Sequence, residues 1–93
     1  MATTTITLDN FEQTISEGGI VLVDFWADWC GPCQRFAPVF EKASEAHSDI
    51  VFGKVDTEAA TQLSHATGIR ALPTVAVYRD SIRVFFQAGA LPK

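Results

Sequence analysis

Two cysteines, Cys30 and Cys33, frame the segment Cys-Gly-Pro-Cys and are the only two in the chain. The segment lies between an apolar run that predicts a strand and a pattern that predicts a helix. Cys33 is about one helical turn beyond Cys30, so the sulfurs can alternate between dithiol and disulfide. The unpaired N–H groups and positive dipole end of a helix start favour a thiolate on Cys30. We therefore predict thiol–disulfide exchange, in which the more exposed Cys30 attacks and Cys33 resolves the mixed disulfide.

Two other roles for the cysteine pair fit the sequence less well. A structural zinc site needs four ligands. His47 follows Cys33 at a spacing that zinc fingers use, but His65 lies too far beyond His47 to complete the set. A purely structural disulfide is disfavoured because so small a ring constrains the unfolded chain little, and a reducing compartment would leave it open. The sequence predicts no metal, nucleotide or haem site.

Composition restricts the fold class and the partners. The 93 residues are 47% hydrophobic and 19% charged, which excludes disorder and predicts one folded domain over residues 1–93. Seven basic residues, scattered singly, stand against eleven acidic ones for a net charge of −4, which speaks against nucleic-acid binding. The longest strongly apolar run, residues 20–23, is too short for a membrane span, and the N-terminus lacks a signal core. We therefore expect a cytoplasmic protein without a membrane partner.

Apolar patterning predicts the element order β-α-β-α-β-α-β-β. A capping-box spacing of Asp9 and Glu12 starts the first helix, and Thr57 can cap the third, which would run to Thr67. Asp80-Ser81 makes a hairpin turn, although Ser81 stands where glycine is usual. Such alternation predicts an α/β fold with a mixed central sheet and helices on both faces. The expected strands are residues 3–8, 20–26, 50–55, 74–79 and 82–87, and the second helix is residues 31–46.

Around the cysteines the sequence resembles the thioredoxin family. The run from Val23 to Cys33, VDFWADWCGPC, matches the signature of that family closely, and Leu72-Pro73-Thr74 and Gly89-Ala90-Leu91 are two further matches. The resemblance implies a thioredoxin-like fold and protein disulfide reduction without a bound cofactor. It also implies disulfide-containing proteins as substrates and an NADPH-dependent thioredoxin reductase as electron donor. The chain itself has no glycine-rich dinucleotide fingerprint.

The resemblance also assigns roles to individual residues. Asp24 lies in the apolar central strand, where burial should raise its pKa, and would act as general acid and base for Cys33. Lys54 would approach this carboxylate. Pro73 would follow a cis peptide bond, with Leu72 pairing with the substrate backbone as a short added strand. The remaining substrate contacts would form a shallow apolar surface around Cys30, made of Trp29, Gly31, Pro32, Ala71, Leu72, Gly89 and Ala90.

The end of the chain departs from the family pattern. Members of the family continue past Gly-Ala-Leu into a final amphipathic helix that covers one face of the sheet, whereas this sequence stops at Lys93. We therefore expect that helix to be absent here and one of Phe85 and Phe86 to be exposed. Either the native protein is longer, or a partner chain or a domain-swapped dimer covers the face.

Two rival functions use the same fold. The first is a thiol oxidase or isomerase, which the Gly31-Pro32 dipeptide and the missing export signal disfavour. The second is a binding subunit of a larger assembly, which would keep its function after both cysteines were replaced by alanine.

Overall fold

A five-stranded mixed sheet organises the residues that the computed structural model describes, 2–17 and 19–88. Its strands are β1 (Thr3–Thr5), β2 (Ile20–Trp26), β3 (Val51–Asp56), β4 (Thr74–Arg79) and β5 (Ile82–Ala88), in the spatial order β1-β3-β2-β4-β5. The helices are α1 (Phe11–Glu17), α2 (Gly31–Ala46) and α3 (Thr61–Ala66). β3 runs parallel to β1 and β2, whereas β4 runs antiparallel to β2 and β5. The predicted element order and mixed sheet are confirmed.

Strand β2 is central because both of its edges are paired, with β3 on one side and β4 on the other. Side chains alternate between the two faces of a strand. Val21, Val23 and Phe25 are fully buried in the main core, which Leu63 of α3 joins. Asp24 projects to the opposite face, toward α2, and this alternation brings a carboxyl group into an otherwise apolar strand beside the cysteine loop. In the described ranges, no helix is long and apolar enough to cross a membrane.

The segment between β1 and α1 differs from the prediction. Strand β1 ends at Thr5 instead of continuing through residue 8. The side chain of Asn10 fastens the following turn: it accepts a hydrogen bond from the Thr7 N–H at 2.8 Å and donates one to the Thr5 carbonyl at 3.0 Å. The predicted strand 3–8 is therefore too long, because a polar side chain after it bonds the backbone that would have continued the strand.

The start of α3 also differs. Thr57 is a suitable capping residue by type, but its hydroxyl donates to the Trp26 carbonyl at 3.0 Å, which ties the loop after β3 to the end of β2. The Asp56 carboxylate accepts the Glu58 N–H at 2.9 Å and makes a turn before the helix. The prediction that Thr57 caps the third helix is therefore wrong: α3 begins at Thr61, and Ala60 is its N-cap.

The β4–β5 hairpin and its outer strand are more exposed than predicted. Asp80 and Ser81 have φ values of 51° and 74°, as both central residues of a type I′ turn require, so Ser81 takes the left-handed region that glycine favours. Phe85 lies beside Val77 and Phe86 beside Ala76, on opposite faces, and both rings are exposed, at 44% and 38%. An exposed apolar edge strand invites pairing with another chain. Residues 89–93, where the expected loss of the final helix falls, lie outside the described residues.

The close approach of β1 and β3 gives a stability prediction at Gly53. A Cβ atom added to Gly53 would overlap Cδ1 of Ile6 and lie 2.8 Å from its Cγ1. Ile6 is only 1% exposed, so its side chain has no free space to move into. We expect Gly53→Ala to lower the free energy of unfolding by about 1–3 kcal/mol, the usual cost of overpacking a core. Urea denaturation of the two proteins measures this difference.

A double-mutant cycle tests whether Ile6 is the cause. Ile6→Val removes Cδ1 and should cost about 1 kcal/mol alone. In the double variant the added methyl group occupies the space that Cδ1 has left, so we expect a smaller loss than the two single losses together. Strictly additive losses would show that the Gly53 requirement has another origin.

Candidate active site

The cysteine segment is the junction between β2 and α2. Cys30 is the N-cap of the sixteen-residue helix α2, with an extended backbone at φ −90° and ψ 107°. Its sulfur accepts a hydrogen bond from the Cys33 N–H at 3.2 Å, so Sγ takes the place of the oxygen that usually caps a helix. Pro32 lies in the first turn, where its missing N–H costs no helical hydrogen bond. The helix thus begins at the reactive pair.

The charge at the helix start favours an anion on Cys30. The first turn, Gly31-Pro32-Cys33-Gln34, contains no acidic residue. The Arg35 guanidinium lies close by, with Nη1 3.6 Å from the position that a Cβ on Gly31 would take. The N–H of Cys33 and the helix dipole stabilise negative charge on the Cys30 sulfur, and Arg35 adds a positive charge near Gly31 in the same helix.

The two cysteines form a disulfide, with Cα atoms 5.2 Å apart. Cys30 and Cys33 are 4% and 2% exposed in this oxidised state, so exposure does not separate them as the sequence suggested. Their surroundings do separate them. Cys30 is bonded by a helix N–H, whereas Cys33 lines a cavity that contains Asp24. No group of three or more His, Cys, Asp or Glu suited to a metal ion occurs in residues 2–17 and 19–88.

Asp24 lies in that cavity of about 230 Å³, between β2, β3 and the start of α2. The residue is fully buried, and neither carboxylate oxygen has a hydrogen-bond partner among the described residues. Burial raises the pKa of Asp24 to about 6, against a smaller lowering by the charge of Lys54. Lys54 is the register partner of Asp24 across β2 and β3, and its Nζ lies 5.3 Å from the centre of the Trp26 ring.

This arrangement is suited to moving a proton near neutral pH. A carboxyl group whose pKa is about 6 exists in both forms close to pH 7, which is the condition for an effective acid or base. The cavity is polar and large enough for water, which can bridge a carboxylate and a sulfur that do not touch. The structure therefore places Asp24, Lys54 and Cys33 around one cavity.

The Leu72-Pro73 peptide is cis, as the resemblance implied, and Pro73 is buried directly before β4. Leu72 packs against the cluster that contains Cys30 and Cys33. Trp29, Gly31, Pro32 and Ala71 are exposed, whereas Leu72 is half-buried. The predicted positions Gly89 and Ala90 lie outside the described residues.

One residue of this region was missed in the sequence. The Trp29 side chain is 69% exposed, and its Nε1 donates to Oε2 of Glu58 at 3.0 Å. Glu58 follows the carboxyl end of β3, and the carboxyl ends of parallel strands meet at one edge of a sheet. That rule was the available signal for placing Glu58 near the cysteine loop.

Comparison with known protein sequences gives one consistent family. A family model described as Thioredoxin matches residues 2–93. The chain is 53% identical over 92 residues to putative thioredoxin 2 of Streptomyces coelicolor, covering 99% of this chain and 69% of that protein. It is 42% identical over 90 residues to thioredoxin 1 of Synechococcus elongatus, covering 95% and 84%.

Solved structures agree with the sequence comparison. Plasmodium falciparum thioredoxin superposes with a TM-score of 0.90 at 36% identity, over 96% of this chain and 88% of the other. The short form of thioredoxin f from spinach chloroplast gives a TM-score of 0.91 at 31% identity, over 97% and 83%. With a family match over almost the whole sequence, a relative more than half identical and a disulfide at the start of α2, this chain belongs to the thioredoxin family.

Proposed function

We propose that the chain reduces disulfides in other proteins, with Cys30 as the attacking thiol and Cys33 as the resolving thiol. Membership of the thioredoxin family and the Cys30–Cys33 pair make it a thiol-disulfide oxidoreductase. The division of roles rests chiefly on one observation: the Cys33 N–H donates to the Cys30 sulfur at the start of a long helix. This bond stabilises a thiolate on Cys30 and leaves Cys33 to face the Asp24 cavity.

The first step forms a mixed disulfide. In the reduced chain the Cys30 thiolate attacks one sulfur of the substrate disulfide. The bond between the two substrate sulfurs breaks, the second sulfur leaves as a thiolate and takes a proton, and a bond forms between Cys30 and the substrate. One substrate sulfur has then been released as a thiol.

The second step releases the substrate. Cys33 gives its proton to Asp24 across the shared cavity, and the resulting thiolate attacks the Cys30 sulfur. The bond from Cys30 to the substrate breaks, the substrate sulfur leaves as a thiolate, and the Cys30–Cys33 disulfide forms. Two electrons have passed from the chain to the substrate. The charge of Lys54 favours the ionised carboxylate that accepts the proton.

Substrate binding is assigned to the exposed surface around the pair. The backbone of Leu72 pairs with an extended substrate segment, as the family resemblance implies, and Pro73 ends that pairing. The other contacts are assigned to the shallow apolar surface predicted around Cys30, which we call the docking surface. Its members besides Leu72 are Trp29, Gly31, Pro32 and Ala71, together with Gly89 and Ala90, which lie outside the described residues. These apolar contacts are compatible with many substrate sequences.

The oxidised chain needs an electron donor. We assign the role of electron donor to an NADPH-dependent thioredoxin reductase in the cytoplasm. The chain would then carry electrons from this reductase to its substrates. One structural neighbour is a complex of ferredoxin:thioredoxin reductase with thioredoxin f2, at 32% identity and a TM-score of 0.90. That complex supports a reductase as a partner of this chain.

Insulin reduction with NADPH and a thioredoxin reductase tests the proposal. We expect the chain to accelerate precipitation of the insulin B chain and to consume NADPH in step. A redox titration against glutathione separates the rivals: a reduction potential near about −120 mV, typical of a strong thiol oxidant, would favour an oxidase. If a complex containing the chain stayed fully functional after both cysteines were changed to alanine, the chain would be a binding subunit.

A further inference from the structure

A shallow groove of about 260 Å³ lies beside Leu72, between the cysteine loop and α3. Trp29, Ile69 and Leu72 contribute the apolar part of its lining. Arg70 and His65 contribute the basic part, and both side chains are exposed. The groove shares Trp29, Ala71 and Leu72 with the surface assigned to substrate binding, whereas the proposed reaction gives no role to Arg70 and His65.

The charge of the groove is opposite to that of the whole chain. The chain carries a net charge of −4, yet no Asp or Glu lines the groove among the residues that the structure describes. The Thr57 and Ser64 hydroxyls in the lining already donate to backbone carbonyls, to Trp26 and Ala60 at 3.0 Å each. The Arg70 guanidinium is therefore the group best able to bind an anionic side chain, with two N–H groups suited to one carboxylate.

One acidic side chain borders the groove from outside. Glu58 accepts the hydrogen bond from Trp29 at 3.0 Å, so this carboxylate is engaged with the indole that forms one wall. Its charge opposes an incoming carboxylate. Any preference for acidic substrates therefore has to come from direct contact with Arg70 and not from the general field of the chain.

The groove is close enough to the cysteines to contact a substrate side chain near the reacting substrate cysteine. Leu72 lines the groove and also packs against the cysteine cluster. Arg70 is two residues before Leu72, which limits their separation along the backbone to about 7 Å. An extended substrate advances about 3.3 Å per residue. A side chain one or two positions from the substrate cysteine therefore reaches the groove.

We propose that this groove selects disulfide substrates that carry an acidic residue within two positions of the reacting cysteine, with Arg70 binding the carboxylate and His65 donating a further hydrogen bond. The inference rests on the proposed function, because it adds a subsite to the same docking surface. The substrate class is thus a disulfide in a locally acidic, extended segment.

Matched peptides test the subsite. Three peptides differ only in having Glu, Gln or Lys next to a cysteine that is joined by a disulfide to a fluorescent thiol. We expect the reduced chain to cleave the Glu peptide about three- to tenfold faster in kcat/KM than the Gln peptide, a typical range for a partly exposed charged pair. The Lys peptide should be slowest. Arg70→Gln should abolish the preference for the Glu peptide over the Gln peptide, and high salt should weaken that preference in the wild type.

The controls separate this inference from the proposed function. Arg79→Gln removes the same charge at the opposite end of β4 from Pro73 and should keep the wild-type preference. Bis(2-hydroxyethyl) disulfide is neutral and has no side chain for the groove. If wild type reduces this compound and all three peptides equally fast, or if Arg70→Gln keeps the Glu preference, the subsite is refuted. If wild type reduces nothing, the proposed function fails first.

Discussion

Replacing Cys30 by serine is expected to abolish insulin reduction, with a loss of at least about a thousandfold, because a serine hydroxyl is not ionised at neutral pH and cannot exchange with a disulfide. The reduced dithiol is the only electron source for the substrate in the proposed reaction, so no partial pathway remains. Turbidity of the insulin B chain measures the loss. The expected rate is that of buffer with reductase alone.

Cys33→Ser should fail differently. Cys30 keeps its hydrogen-bond donor, because the backbone N–H at position 33 does not depend on the side chain there, so Cys30 can still attack. The mixed disulfide then has no resolving thiol and accumulates. Mass spectrometry of the non-reduced mixture should show one substrate molecule per chain, which dithiothreitol releases.

The two cysteines differ little in exposure, at 4% and 2%, so exposure cannot explain different roles. A different outcome for the two variants would therefore support the hydrogen bond to the Cys30 sulfur as the cause. If Cys30→Ser trapped substrate and Cys33→Ser did not, the attacking and resolving roles would be reversed. Similar mild losses in both variants would show that neither sulfur carries the reaction.

The elements next to the cysteines could be predicted from local sequence because local and tertiary preferences agree there. Residues 20–26 form an apolar run because β2 is paired on both edges and covered on both faces, and the strand has the predicted bounds. The helix after Pro32 was predicted from its periodic apolar residues, and Phe40 does pack on Phe52, with ring centres 5.3 Å apart. In both elements burial strengthens what the backbone already prefers.

The failed prediction at the start of α3 and the missed residue Glu58 both depend on contacts between distant segments. The hydroxyl of Thr57 bonds a carbonyl 31 residues earlier, and Trp29 bonds Glu58 across 29 residues. Neither contact leaves a periodic pattern in the sequence. The exposure of both Phe85 and Phe86 likewise depends on what packs over each face of an edge strand. For Asp24, the sequence predicted its burial but could not show its cavity or the lack of a hydrogen-bond partner for its oxygens among residues 2–17 and 19–88.

Asp24→Asn is expected to stabilise the protein at neutral and alkaline pH. Burial raises the pKa of Asp24 from 3.8 to about 6 in the folded chain. Between these values the folded chain binds more protons than the unfolded chain, so the free energy of unfolding falls as pH rises through that window. The full loss is about 3 kcal/mol and is present above pH 7. Asparagine does not ionise and does not incur this loss.

Denaturant unfolding between pH 4 and pH 8 measures the effect. The variant should exceed wild type by about 3 kcal/mol at pH 8 and by only about 0.5 kcal/mol at pH 4, where the carboxyl of the folded wild type is protonated and resembles the amide in shape. Asp49→Asn, at an exposed position after α2, is the matched control and should follow the wild-type curve. Parallel curves for wild type and Asp24→Asn would mean that Asp24 has an ordinary pKa despite its burial.

The Asp24→Asn variant should resolve the mixed disulfide more slowly than wild type, although it is more stable. The asparagine amide cannot accept the Cys33 proton, so resolution of the mixed disulfide should slow by at least about tenfold at pH 7, and part of the rate should return at alkaline pH, where Cys33 loses its proton to solvent. A single-turnover assay that starts from the mixed disulfide isolates this step from substrate binding. Greater stability together with an unchanged resolving rate would remove Asp24 from the reaction. The expected combination of higher stability and slower resolution would instead show that the buried carboxylate, which costs the fold about 3 kcal/mol at neutral pH, acts in proton transfer.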